Sequence, residues 1–142
     1  MNSFLLVFII SIQFINAFIP SNRLFNSRLS SLKVVSEVGS TDEFDAALKE
    51  ANGAIVVIDY STTWCGPCKL VAPKFLTLSE QYDDVVFLKC IGDTSSEASQ
   101  LMKREGVRSV PAFHVFDKSG DRIDTINGAR IEEVENAIKS CM

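Results

Sequence analysis

The sequence predicts an α/β domain, a mixed sheet of four to five strands flanked by four helices. Three observations carry this. Short apolar runs alternate with segments of helical spacing in the order β-α-β-α-β-α-β-β-α. Ala54 to Ile58 is β-branched and apolar on both faces, as a central strand covered on both sides must be. Lys118-Ser119-Gly120-Asp121 reads as a hairpin turn between the last two strands, which adds antiparallel pairing to an otherwise parallel arrangement.

The elements follow in order. Val34 to Val38 can form a short first strand. Ser40-Thr41-Asp42-Glu43 fits a capping box, with Ser40 as cap and Glu43 reaching back to the Ser40 amide. Phe44, Ala47, Leu48 and Ala51 then share one helical face, which Asn52-Gly53 ends. After the central strand, a helix runs from near Cys65 to about Tyr82. Pro73 lies inside it and withholds one backbone hydrogen bond, so a kink is expected. Val85 to Ile91 is the next strand. Thr94-Ser95-Ser96-Glu97 repeats the capping-box pattern before a third helix carrying Ala98, Leu101 and Met102, closed by Gly106. Ala112 to Phe116 and Arg122 to Ile126 make the hairpin strands. Ile131, Val134, Ala137 and Ile138 mark a last amphipathic helix ending near Ser140.

At 142 residues the chain holds one domain, expected over 34–142, and an N-terminal extension. Residues 1–17 resemble a signal peptide: an apolar run from Phe4 to Ile12, then a small residue at Ala17. An uncleaved membrane anchor is the alternative, though the run is short for a span. Residues 18–33 are rich in Ser and Arg and contain no acid, as transit peptides are. The two together, with Phe18 just after the cleavage point, resemble the bipartite presequence of algae with complex plastids. The expected destination is therefore the chloroplast stroma, without stable membrane association once processed. An ordinary secretory signal before a linker is the competing reading. The formal charge is −4, and the first 32 residues carry two arginines, which leaves −6 on the rest. A net-negative domain without a basic block argues against nucleic acid as a partner.

The chemistry lies in Trp64-Cys65-Gly66-Pro67-Cys68-Lys69, at a strand-to-helix junction. Two cysteines three positions apart can close a small disulfide and reopen it. The attacking species is a thiolate, and the dipole and free amides of a helix N-terminus favour one there. Cys65 should be the exposed nucleophile. Cys68, one turn in and more buried, should resolve the mixed disulfide. Pro67 suits a first helical turn, and Gly66 lets the backbone turn tightly. A zinc site is the competing reading of such a pair. It needs four ligands, there is no second pair, and the one histidine, His114, sits mid-strand, so no metal and no cofactor are expected.

From Val34 to Ser140 the chain resembles the thioredoxin family. The six-residue motif agrees at every position. Asp59, Pro73, Lys89, Val110-Pro111, Gly120 and Gly128 agree elsewhere. The resemblance implies the thioredoxin fold and reduction of protein disulfides. It implies that Asp59 is the buried carboxylate that takes a proton from Cys68, with Lys89 tuning it. A turn cap and a solvated lysine are the plainer readings of those two. It further implies a cis bond before Pro111, a substrate groove at Val110, Pro111 and Gly128, and Trp64 flanking that groove. Trp64 could equally be a core-edge aromatic. Ala112 departs from the usual threonine. Lys89-Cys90-Ile91-Gly92-Asp93 has the flavour of the plastid f-type, although Cys90 is not quite at that type's extra cysteine and reads as a small buried hydrophobe. Cys141 reads as exposed.

The implied partners are disulfide-containing proteins and a thioredoxin reductase, ferredoxin-linked in a plastid and NADPH-linked otherwise, with the chain itself a monomer. Two other readings compete. In one the fold is a redox-inactive binding subunit. In the other it is an oxidase or isomerase of the secretory route, but oxidising relatives carry histidine between the cysteines where this chain has Pro67. Glutaredoxins carry Pro-Tyr there, which is absent.

Overall fold

A computed structural model describes residues 35–142. The segments 1–17 and 18–33 expected to act as a presequence lie outside the described residues. The observed order is β1 (Ser36–Glu37), α1 (Thr41–Glu50), β2 (Ile55–Ser61), α2 (Gly66–Gln81), β3 (Val85–Ile91), α3 (Ser96–Arg104), β4 (Ala112–Phe116), β5 (Arg122–Asn127) and α4 (Ile131–Cys141). Every expected element is present. Two boundaries move in ways that matter: the first strand shrinks to two residues, and the central strand extends three residues beyond Ile58 to take in Asp59.

The five strands lie in the order β1-β3-β2-β4-β5. β1 and β2 flank β3 in parallel, whereas β4 and β5 run antiparallel, so the sheet is mixed as expected. β2 is central, and all seven of its residues are buried. Because alternate strand residues point to opposite faces, β2 feeds two cores. Ile55 and Val57 pack with Val71 and Phe75 of α2 and with Val134 and Ile138 of α4. Val56, Ile58 and Tyr60 pack on the other face with Phe44 of α1 and Ala98 and Leu101 of α3. Phe75 anchors the first core, its ring 5.2 Å from Phe87 and 5.5 Å from Phe113. Phe44 meets Phe116 edge-on at 5.5 Å in the second.

α2 continues through Pro73 to Gln81, and the Thr77 hydroxyl donates to the Pro73 carbonyl at 3.1 Å. α1 stops where Asn52 and Gly53 both take positive φ, which those two residue types tolerate.

His114 is buried in β4 on the α1/α3 face. Its ring meets Tyr60 edge-on at 4.8 Å, and its Nδ1 lies 3.3 Å from an Arg122 guanidinium nitrogen. Burial first, and the Arg122 charge second, push its pKa down to about 4, so it is neutral near pH 7.

Both capping boxes differ from expectation. Ser40 does cap α1, accepting from the Glu43 amide at 3.2 Å, but the Glu43 carboxylate reaches one residue further back, to the Gly39 amide at 2.7 Å. At α3 the cap is Ser95, not Thr94: its hydroxyl accepts from the Ala98 amide at 3.0 Å. Thr94 instead donates to the Ile91 carbonyl at 2.7 Å, which closes the turn leaving β3. Two adjacent hydroxyl residues satisfy the same local pattern, and the turn decides between them. Ser95→Ala should therefore cost about 1 kcal/mol of stability in urea unfolding, and Thr94→Ala about half as much or less. The reverse order would restore Thr94 as the cap.

Candidate redox site

β2 ends at Ser61, and the chain reaches α2 through Thr62, Thr63 and Trp64. Three contacts fix this short approach. The Gly92 amide donates to the Ser61 carbonyl at 2.9 Å. The Asp93 carboxylate accepts from both the amide of Thr63, at 2.9 Å, and its hydroxyl. The Cys65 amide donates to the Thr62 carbonyl at 3.2 Å. These hydrogen bonds hold the Asp93 carboxyl below the usual range. The role of Asp93 was missed in the sequence because its partner lies thirty residues away, beyond the reach of any local pattern.

Cys65 is the N-cap of α2, with extended backbone at φ −74° and ψ 107°. Its Sγ accepts from the Cys68 amide at 3.2 Å, in the place a serine or aspartate oxygen usually fills. Pro67 occupies the first turn, where its missing N–H has no partner to lose. Cys65 and Cys68 are joined as a disulfide with Cα atoms 5.3 Å apart. The expected contrast in exposure is not found: Cys65 is 3% exposed and Cys68 4%. In this disulfide form the exposed surface at the motif comes from the residues around the pair. Trp64 is 74% exposed, so it is no core-edge aromatic, and Gly66, Pro67 and Lys69 are also exposed.

Asp59 is 1% exposed and lies in β2 on the same face as Val57, the face that α2 covers. Its Oδ1 has no hydrogen-bond partner. Burial raises its pKa to about 6, against the opposing charge of Lys89. Lys89 is its register partner on β3 and shares its face of the sheet. The turn-cap reading of Asp59 fails, because the residue sits within the strand with its carboxyl buried.

The Val110–Pro111 bond is cis. The Gly128 amide, from a residue at φ 86°, donates to the Pro111 carbonyl at 2.7 Å, which ties these two expected groove residues together. Val110 is half-buried beside them. Ala112 is buried between Tyr60 and Asn127, its register partners, so its departure from threonine is accommodated inside the sheet.

The remaining cysteines take no part in the pair. Cys90 is buried on the α3 side, its thiol 3.8 Å from the Ala98 carbonyl, and burial pushes its pKa up to about 11. Cys141 is half-buried rather than exposed, and its thiol donates to the Ala137 carbonyl at 3.0 Å. Among the described residues, no group of three or more His, Cys, Asp or Glu side chains could hold a metal ion.

Comparison with known proteins agrees with this geometry. The family model described as Thioredoxin matches residues 35–140. The chain is 42% identical over 110 residues to the chloroplastic F-type thioredoxin of Brassica napus, covering 78% of this chain and 58% of that protein. It is 38% identical over 107 residues to the thioredoxin of Gallus gallus, covering 75% of this chain and 98% of that one. Among solved structures, a complex of ferredoxin:thioredoxin reductase and thioredoxin f2 contains a chain with TM-score 0.69 and 38% identity, covering 77% of this chain and 96% of that chain.

Two buried groups set opposing pH dependences. The folded chain holds a proton on Asp59 to about pH 6, whereas the unfolded chain loses it near 3.8, so stability falls with rising pH across that window. The unfolded chain protonates His114 near 6.5 and the folded chain only near 4, so that group makes stability rise with pH. The two slopes oppose each other between about pH 4 and 6. Asp59→Asn should therefore leave stability rising through this range and add about 2 to 3 kcal/mol at pH 7. His114→Gln should leave it falling. Urea midpoints measured against pH check both, and unchanged profiles would contradict the assignment.

Proposed function

This chain belongs to the thioredoxin family and is a protein-disulfide reductase; from that premise, we propose that it works in a plastid, recharged by a ferredoxin-linked reductase. The observation that carries the chemistry is Cys65 Sγ capping α2 at the end of the strand that buries Asp59.

In the dithiol form, the Cys68 amide and the α2 dipole favour Cys65 as the thiolate. That thiolate attacks one sulfur of a target disulfide. A mixed disulfide forms, and the first target sulfur leaves as a thiolate that takes a proton from solvent. Asp59, with a pKa near 6, is an unpaired buried acceptor for the Cys68 proton, and Lys89 tunes it through charge. The Cys68 thiolate then attacks Cys65 Sγ, and the second target sulfur leaves as a thiolate that takes up, through solvent, the proton Asp59 releases. The target gains two electrons and two protons, and the Cys65–Cys68 disulfide is restored. Trp64, Val110, Pro111 and Gly128 form the surface on which the target chain docks, where the Val110 backbone can pair with an extended segment.

The plastid reading is supported by the chloroplastic F-type relatives and by the composition of residues 18–33. The reductase reading is supported by the likeness to a thioredoxin solved together with ferredoxin:thioredoxin reductase. Insulin reduction driven by either reductase tests it: turnover should be sustained by the ferredoxin-linked enzyme, and turnover only with the NADPH-linked one would overturn it. A full-length fluorescent fusion should reach the plastid and its Phe18→Ala version should not. Export of both along the secretory route would contradict the assignment.

Cys68→Ser should accumulate a mixed disulfide through Cys65, visible as a mass increment removed by reductant. Normal turnover by that variant would rule out Cys68 as the resolving group.

A further inference from the structure

The face of α3 nearest Trp64 forms one wall of an open cleft of about 600 Å³. Its lining includes Thr62 and Trp64 from the approach to α2, Gly92 and Asp93 from the β3–α3 loop, and Met102 of α3. The mechanism above uses none of this wall. Met102 is half-buried, with its thioether packed on Gly92: a Cβ added to Gly92 would lie 1.7 Å from Met102 Sδ. The sulfur therefore fills the space a side chain at position 92 would take, and Gly92 is the residue that makes room for it. Gly92 and Asp93 are also the residues that fix the approach to Cys65, through Gly92 to Ser61 and Asp93 to Thr63. A chain of direct contacts thus links Met102 to Gly92, Asp93, Thr63 and the Trp64-Cys65 step.

We propose that Met102 is an oxidation site whose sulfoxide loosens the active-site approach and slows disulfide reduction. The reagent is a peroxide. Met102 Sδ attacks one peroxide oxygen, the O–O bond breaks, and the sulfur gains one oxygen and loses two electrons. The peroxide is reduced to water or an alcohol, its remaining oxygen taking the proton. The product is polar and larger at the sulfur. The sulfur face packed on Gly92 has no room for that oxygen, so either Met102 turns to carry it into the cleft beside Trp64, or the Gly92–Asp93 segment shifts and moves the Asp93–Thr63 hydrogen bonds. A methionine sulfoxide reductase would reverse the change, which makes the site a reversible brake separate from the cysteine pair.

The test starts from the oxidised protein, in which Cys65 and Cys68 are already joined, with Cys141→Ser to remove the partly accessible thiol. After hydrogen peroxide, then removal of peroxide and reduction of the Cys65–Cys68 disulfide, peptide mass spectrometry should find one added oxygen on Met102. Met142, 66% exposed at the chain end, is the internal standard for an unhindered methionine. Trp64 is the chain's one tryptophan, so its emission reports on the cleft directly. Insulin reduction should fall by roughly fivefold, Trp64 emission should change, and a methionine sulfoxide reductase should restore both. Met102→Leu should keep the untreated rate and lose the peroxide effect. Three results would overturn the proposal: Met142 fully oxidised with Met102 untouched, Met102 oxidised with an unchanged rate, or an equal loss of rate in Met102→Leu.

Discussion

The hydrogen bond from the Cys68 amide to Cys65 Sγ is the contact on which the site depends. It makes a sulfur the cap of α2, so helix formation and activation of the nucleophile become one event. A helix N-terminus has unpaired amides that need an acceptor, and here the acceptor is the reacting atom. The rest of the fold serves to deliver that terminus. β2 is central and buried, and its end is tied to the β3–α3 loop by Gly92 and Asp93, so the position at which α2 begins is fixed.

The carboxylate on the same strand is the second constraint. A buried aspartate with an unpartnered oxygen costs stability near neutral pH, and an apolar residue of similar size would remove that cost. Under the proposed mechanism that cost is what keeps a proton acceptor with a pKa near 6 buried on the α2 side of the sheet. His114, on the opposite face of the sheet, has the reverse pH behaviour. The two cores thus hold titratable groups whose effects oppose each other in weakly acidic conditions, one on the α2 side with Lys89 as its register partner and the other packed against Tyr60 and Arg122.

Much of this was legible in the sequence. The helices are placed by one apolar face each, and β2, β3 and β4 by apolar runs that feed both cores, whereas the exposed β1 and β5 are placed by the breaks and turns around them. The Cys65–Cys68 pair and Pro67 were visible because their spacing along the chain is local, whereas Asp59 stood out only through the family resemblance. Three things were not. The choice of Ser95 over Thr94 as a cap depends on the turn geometry after β3. The Asp93–Thr63 contact joins loops thirty residues apart. The near-equal burial of the two cysteines belongs to the disulfide form, a state that spacing alone does not specify.

A sulfur that caps α2 should be activated by the helix it caps. Titrating the ultraviolet thiolate absorbance of the reduced protein, beside Cys65→Ser and Cys68→Ser, measures this directly. One thiolate, lost in Cys65→Ser and kept in Cys68→Ser, should form well below the ordinary cysteine value of about 8.5. A Cys65 thiolate that forms only at or above that value would contradict activation by capping.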